Sequence, residues 1–426
     1  MAGAPADTIV ALSSGGLPAA IAVVRTSGPA ALAAARAVAG KALAPRRASL
    51  RNLRDPGEGA LIDRGLVLFF PGPDTATGED IVEYQCHGSK AVVAALIAIL
   101  LKQPGMRPAE SGEFTRRALA NGRIDLTQAE GLAELLEAES ETQRVSALRR
   151  SEGSLRRDVE RWRGNLLDLS AEAEVAIDYA DEEDGAAAFD PSLRLAALIA
   201  DLDALLAAPR VERLRDGVRL VVAGPPNAGK SSLVNALAGE ARAIVTAMAG
   251  TTRDLVEVPL AIAGIPLTLV DTAGLRESAE EVERIGIGLA EREIARADLL
   301  LWLGIGADQP DHPRCLLVAS KADLDGRRSG HRVSVMNSEG LDLLKDWIAD
   351  QARTLIPSTE QPGVNKREAA LLADCRGALS RVMMLVDPVL IAEELRLARA
   401  SLDRVSGLSG VDALLDALFR RFCLGK

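Results

Sequence analysis

One stretch limits the possible folds more than any other: a six-residue buried-type strand, Val218–Ala223, apolar but for Arg219, leads without a break into GPPNAGKS at residues 224–231 and on into SLVNALAG. A complete G-x-x-x-x-G-K-S between a buried-type strand and a helix start is a phosphate loop in the setting it requires. Its glycines and the first helical amides aim N–H groups at phosphate oxygens. The Lys230 ammonium reaches the β and γ phosphates, and the Ser231 hydroxyl ligates Mg²⁺. Asn227, Ala228, Gly229 and Ser232 complete this loop. The chain must therefore hold an α/β layer with the loop at the carboxyl end of a strand.

Two later strand ends extend the reading. IPLTLV closes on DTAG, Asp271 with Thr272, Ala273 and Gly274, where a carboxylate holds the magnesium shell and a glycine N–H can swing toward a γ phosphate. RCLLVA closes on SKAD, Ser320 and Lys321 through Asp323. There a carboxylate accepts the two N–H donors on the Watson–Crick edge of guanine, which adenine does not offer. Order and spacing together specify GTP rather than ATP. Many GTPases orient the attacking water with a Gln just after D-x-x-G, but Leu275 stands there and cannot hydrogen-bond.

Composition narrows the remainder. The 426 residues are 48% hydrophobic and 26% charged, with a formal charge of −10, which excludes disordered, collagen-like and coiled-coil-only chains and allows two to four domains. The apolar run 91–101 is too short for a bilayer span, and the first residues lack a basic region followed by an apolar one. A cytoplasmic location and no membrane association are expected. Cys86, Cys315, Cys375 and Cys423 form no C-x-x-C pair, so no disulfide framework or cysteine-rich zinc site is indicated, and His87 beside Cys86 has no third ligand nearby. Eleven aromatics are too few for a broad base-stacking platform.

Periodicity divides the chain into four segments. Residues 1–120 alternate short apolar runs with Gly and Pro: TIVAL, AAIAVVRT, GLVLFF and DIVEYQCHG read as strands, and 30–39 and 90–101 as helices, an α+β domain. Residues 121–212 are helical, with Gly153 and Gly164 as expected bends and Asp190-Pro191 opening a further helix. This segment carries a net charge of −11, so a polyanion is expected to avoid it. Residues 213–357 alternate strands with helices, and 358–426 are helical again. Neither helical flank alone makes a good bundle, which suggests one discontinuous helical domain interrupted by the α/β unit.

GPPNAGKS, TAMAGTTRD (residues 246–254), DTAGL, SKAD and a serine-containing loop at Ser334 resemble the nucleotide-binding motifs of TrmE-Era-type GTPases. DTIVAL, VVRTSGP, TGEDIVEYQCHG, GEFTRRALANGRIDLTQAEGLAELL, EEVERIG and a terminal FCLGK are similar to the MnmE (TrmE) family of tRNA-modification GTPases over essentially the whole chain. The resemblance implies a multidomain α/β and α architecture: an N-terminal α+β folate-binding and dimer-forming domain, a discontinuous helical domain, and an inserted P-loop, Ras-like G domain.

It also implies roles. Glu283 matches the family's water-orienting carboxylate, and Thr252 its second protein ligand of Mg²⁺ beside Ser231. A potassium ion takes the place of an arginine finger, with Asn227, Thr246, Met248 and Thr251 as its ligands. Arg253 is then a loop-shaping or interface residue. Arg25, Glu83, Arg123 and Lys426 match positions that contact 5-formyltetrahydrofolate or a related tetrahydrofolate. The two arginines suit the ligand's carboxylates and the glutamate its ring donors. The thiol of Cys423 either assists modification chemistry or is a buried structural group. Two departures stand out: SSGGLPAA replaces a Gly-Arg-Gly-Gly run in the first loop, and Ser320 replaces the usual Asn of the base-recognition motif, so it is expected to make a weaker contact to guanine.

The function implied is GTP hydrolysis within a complex that adds an aminomethyl-type or carboxymethylaminomethyl group at C5 of the wobble uridine of tRNA. The homodimer is expected to form a heterotetramer with a flavin- and NADH-dependent partner, MnmG. The alternatives are a ribosome-assembly switch of the Era-like class and a structural or signalling GTPase. The Era-like role generally needs a basic RNA-binding module, whereas residues 358–426 carry only +1 and no GXXG in a KH-like context.

Overall fold

The computed structural model describes residues 7–40, 42–178, 190–241, 257–271, 291–324, 329–358, 363–408, 418, 419, 422 and 425. The chain divides into two compact units, Met1–Ala133 with Ser406–Lys426, and Glu134–Val405.

The first unit holds a six-stranded sheet of β1 (Thr8–Leu12), β2 (Ala19–Ser27), β3 (Ser49–Arg54), β4 (Leu61–Phe70), β5 (Ile81–Gly88) and β6 (Met106–Pro108), ordered β3-β4-β5-β2-β1-β6. Neighbours are antiparallel except for the β1–β6 pair. Alternate residues of these strands, among them Val24, Val67, Val82 and Tyr84, bury against the helices Ala31–Ala39 and Lys90–Leu101. The other face keeps apolar side chains in the open: Ile21 is 61% exposed, Leu50 53% and Leu66 37%. Leu50 and Leu66 are cross-strand partners, so this is one patch.

Helical periodicity did not mark β3 or β6. The first, SLRNLR, is an edge strand without clean alternation, and the second is three residues long and owes its existence to pairing with β1. At the other end of the sequence, Leu418, Phe419 and Phe422 bury against Leu126, Ala129 and Ala133. Ser13 Oγ donates to the Gly425 carbonyl at 2.8 Å. Gly425 has φ 97°, and a Cβ there would lie 2.2 Å from the Leu12 carbonyl oxygen, so only glycine fits.

The second unit holds β7 (Val218–Ala223), β8 (Glu257–Ile262), β9 (Ile265–Asp271), β10 (Leu299–Trp302), β11 (Cys315–Ser320) and β12 (His331–Val333), ordered β12-β11-β10-β7-β9-β8. All pairs are parallel except β8–β9. One face is covered by the helices Lys230–Ala241 and Leu341–Arg353, through Leu233, Leu237, Leu344 and Ile348. On the other, Val221, Ala223, Val270 and Leu300 meet Ile294 and Ala297. Burial on both sides is why the inner strands β7, β9, β10 and β11 are mostly apolar along their length.

Four helices of the same unit, Ser154–Asp178, Ser192–Ala207, Lys366–Val382 and Pro388–Val405, share one core that includes Trp162, Leu166, Leu202, Leu379 and Leu395. The chain thus leaves this core, builds the parallel sheet and returns. Gly153, at φ 79°, does separate two helices, whereas Gly164 lies inside the 25-residue helix Ser154–Asp178 and makes no break. The helix after Asp190-Pro191 begins at Ser192 with Pro191 as its N-cap, one residue later than expected, and Asp190 Oδ1 accepts from the Ser192 N–H at 3.0 Å just ahead of it.

Where chain passages enter and leave the sheet, Arg150 is 1% exposed. It meets Glu368 through two contacts of 3.0 Å, Glu134 at 3.0 Å and the Gly363 carbonyl at 2.5 Å. Burial pushes the Glu368 carboxyl up, but the Arg150 charge and hydrogen bonds outweigh it and hold the group below its ordinary value. Glu134 is raised, because burial there outweighs Arg150. Deleting one member of such a buried set costs about 3–5 kcal/mol, since the other charge is left uncompensated.

Candidate functional site

The parallel sheet changes direction of chain order at β7: β9 lies on one side and β10 on the other. A crevice opens beyond the carboxyl ends at such a point. The phosphate loop occupies it. Gly224 (φ 149°), Asn227 (φ 62°) and Gly229 (φ 90°) turn the backbone from β7 into the helix that begins at Lys230. Lys230 is 5% exposed, and its Nζ donates to the carbonyls of Gly224 and Pro225 at 3.0 and 2.9 Å, so the ammonium is folded over the loop. Asp271, 8% exposed, ends β9 in register with Val222 of β7. Ser231 sits in the exposed first helical turn, as does Ser232. A hydroxyl and a carboxylate are hard oxygen donors, the chemistry that suits Mg²⁺.

The base-reading elements converge on the same loop from β11. Ser320 Oγ donates to the Ala228 carbonyl at 2.6 Å, and Lys321 Nζ donates to the Asn227 carbonyl at 3.0 Å. The Ser320 hydroxyl is thereby committed to the loop, where the sequence led us to expect a contact to guanine. Ser334 Oγ donates to Asp323 Oδ1 at 2.7 Å, which fixes the carboxylate's orientation and leaves its second oxygen to accept from a ligand. The Ala322 N–H donates to the Val333 carbonyl at 3.1 Å, holding the two loops side by side. Thr246, Met248, Thr251, Thr252, Thr272, Ala273, Gly274 and Glu283 lie outside the described residues, so Asn227 alone of the expected potassium ligands can be placed.

In the first unit, Arg25 on β2 and Glu83 on β5 are cross-strand partners. The guanidinium donates to Glu83 Oε1 through Nε and Nη2 at 2.9 and 2.7 Å, and lies 5.8 Å from the Phe114 ring centroid. Arg123 donates to Asp74 Oδ1 at 2.9 Å and to the Thr75 carbonyl at 3.1 Å. Arg25, Glu83 and Arg123 are thus engaged with the protein. A guanidinium–carboxylate couple still offers both a donor and an acceptor edge to a polar heteroaromatic ring. Cys423 and Lys426 lie outside the described residues. Sequence reasoning missed Gly425 as a packing determinant and missed Phe114 beneath Arg25. Only the fold brings either into its place.

Comparison with known proteins places these features. A family model described as the MnmE helical domain matches residues 126–423, and one described as the GTP-binding protein TrmE N-terminus matches residues 8–123. The tRNA modification GTPase MnmE of Rhizorhabdus wittichii is 50% identical, with 99% of this chain and 97% of that protein covered. That of Erythrobacter litoralis is 48% identical, covering 99% and 100%. Among solved structures, the G domain of the T. maritima FeoB iron transporter is 23% identical over 32% of this chain and 98% of that one, with a TM-score of 0.24, too low to bear on the argument. Among the described residues no helix is long and apolar enough to cross a membrane. Two family models that together span the chain, and relatives about half identical from end to end, show that it belongs to the MnmE family of tRNA modification GTPases.

Proposed function

We propose that this chain binds and hydrolyses GTP in the cytoplasm and couples hydrolysis to modification of the wobble uridine of tRNA. The observation that carries the reading is the meeting of Lys230, Asp271 and the Ser334-oriented carboxylate of Asp323 at the carboxyl ends of one sheet, with both loops tied together through the Ala228 carbonyl. Asp323 reads the guanine edge. The loop amides and Lys230 hold the phosphates, and Ser231 with Thr252 holds Mg²⁺, which neutralises phosphate charge when bound. Asn227, with Thr246, Met248 and Thr251, is proposed to hold K⁺, and Glu283 to orient water. We further propose the segments 1–120, 121–212, 213–357 and 358–426 as the functional domains.

The first unit is read as a tetrahydrofolate site built on Arg25, Glu83, Arg123 and Lys426, with Cys423 near the chemistry. Its open sheet face, carrying Leu50 and Leu66, is read as the homodimer surface, because an apolar patch of that kind is normally covered. MnmG is the proposed flavin-dependent partner. The test is reconstitution: full-length protein, MnmG, tRNA, GTP and a tetrahydrofolate, in K⁺ and in Na⁺, followed by nucleoside analysis. Faster hydrolysis in K⁺ and a new C5 substituent are expected. Equal rates in both salts remove the potassium assignment, and unmodified uridine removes the tRNA reading.

A further inference from the structure

The helix Glu141–Ser151 touches the parallel sheet at its start and the helical core at its end, through side chains that nucleotide binding leaves unused. Its start is a reciprocal cap. The Gln143 backbone N–H donates to Ser140 Oγ at 3.3 Å, and Gln143 Oε1 accepts from the N–H groups of Ser140 and Glu139 at 2.7 and 2.8 Å. The remaining half of that amide, Nε2, donates to the Leu214 carbonyl at 2.7 Å, just ahead of β7.

The neighbouring Thr142 N–H meets the Gly264 carbonyl at 3.4 Å. Gly264 and Ala263, at φ 77° and 50°, form the tight turn of the β8–β9 hairpin. A side chain at Gly264 would come within 3.7 Å of Glu141 Cβ, so the turn lies directly against the helix start. The hairpin is paired without a slip from Ile262↔Ile265 to Glu257↔Val270. Its open end carries Asp271 and continues in sequence toward Thr252 on one strand and DTAG on the other.

The two ends of the helix are held unequally. Arg150, in the last turn, is locked by Glu368, Glu134 and the Gly363 carbonyl. Glu368 in turn accepts from the Asn365 N–H at 2.8 Å and so caps helix Lys366–Val382, which follows Leu341–Arg353 and returns the chain to the helical core. The start is held by one short hydrogen bond and one long one, beside a cavity of about 50 Å³ lined by Ser140, Gln143, Gly217, Pro259 and Leu267. A displacement of the sheet would therefore be taken up at the start, and the end would turn with it as a fixed joint.

We propose that helix Glu141–Ser151 is a strut that carries the nucleotide state of the parallel sheet, through the β8–β9 turn and Gln143, to Arg150 and the start of helix Lys366–Val382. This rests on the guanine-nucleotide reading above, and the two are separable by experiment. Hydrogen exchange is compared in the full-length protein with GDP and with a non-hydrolysable GTP analogue, in Mg²⁺ and K⁺. Peptides covering 224–231, 139–151 and 363–370 are expected to change between nucleotides.

Gln143→Glu keeps an acceptor for the cap but cannot donate to Leu214. It should retain the difference at 224–231 and lose it at 363–370. Gln143→Leu, which gives up both bonds but keeps bulk, should behave the same way. A difference at 224–231 with none at 139–151 in the unaltered protein overturns the strut alone, as does a difference at 363–370 that survives in both variants. No difference anywhere, 224–231 included, overturns the nucleotide reading and the strut with it.

Discussion

The two six-stranded sheets present their chemistry in different ways. In the parallel sheet both faces are buried, so the described functional groups stand at or just past the strand ends: Lys230 at a helix start, Asp271 at the end of β9 and Asp323 in the loop after β11. In the antiparallel sheet the second face is covered only in part, at the β1 end by Phe114 of helix Glu113–Ala120 against Ile9 and Ala11, and functional candidates stand on the strands themselves, Arg25 beside Glu83. Loop chemistry at strand ends is contiguous in sequence and relies on backbone amides. Face chemistry is assembled from residues 58 positions apart and relies on register.

The sharpest way to break this comparison is Lys230→Ala. It should lower GTP hydrolysis by about 10²–10³-fold, measured by phosphate release, because a positioned cation near the transferring phosphoryl group is lost. A variant with an unchanged rate would mean the strand-end loop is not the reaction centre. Next comes the open face. Leu66→Asp should weaken self-association at least about 100-fold in sedimentation, since an unpaired carboxylate would be buried in the contact. An unchanged dimer would show that the apolar face serves some other contact.

Asp323→Asn exchanges an acceptor for a donor at the position that meets the base. It should reduce GTP affinity by about 10–100-fold, as lost charge-assisted hydrogen bonds do, and favour a xanthine nucleotide. Unaltered selectivity in a competition binding assay would move base reading away from Asp323. The smallest effect is acid sensitivity of the antiparallel sheet. Hydrogen bonds from Arg107 and Arg117 hold Asp7 below its ordinary value despite burial, and at Glu113 burial is outweighed by Arg107 and its neighbours. Groups with depressed folded values stabilise the fold fully above the unfolded value near pH 4 and lose that contribution as pH falls through the folded value. Protection factors of the β1 amides, corrected for the intrinsic exchange rate, should therefore fall below about pH 4, and a flat profile would show that these pairs do not anchor the strand.

The phosphate loop, β7, β9 and β11 and the helices of the shared core were legible in the sequence, because each is set by a local run of apolar residues or by a contiguous motif. The Asp323–Ser334 contact was readable only as two separate motifs. Its geometry depends on β11 and β12 lying side by side. Ser320 could be seen as a departure, but not that its hydroxyl turns to the Ala228 carbonyl, since that acceptor comes from a loop 92 residues away. Gly164 misled for a local reason: it faces open space on a helix whose buried stripe, from Leu155 to Ala173, continues past it unbroken. The strands β3 and β6 were invisible because neighbouring strands, not their own side-chain patterns, define them.

The first unit is written in two instalments, Met1–Ala133 and Ser406–Lys426, with the whole of Glu134–Val405 between them. During synthesis the parallel sheet and its helices emerge and can mature while the earlier unit still lacks Phe419, Phe422 and the glycine that slots beside Leu12. Completion of the antiparallel unit thus waits on a segment made after the parallel sheet. A chain lacking that segment would keep the residues of the parallel sheet and its phosphate loop yet leave the Leu126 and Ala129 surface uncovered.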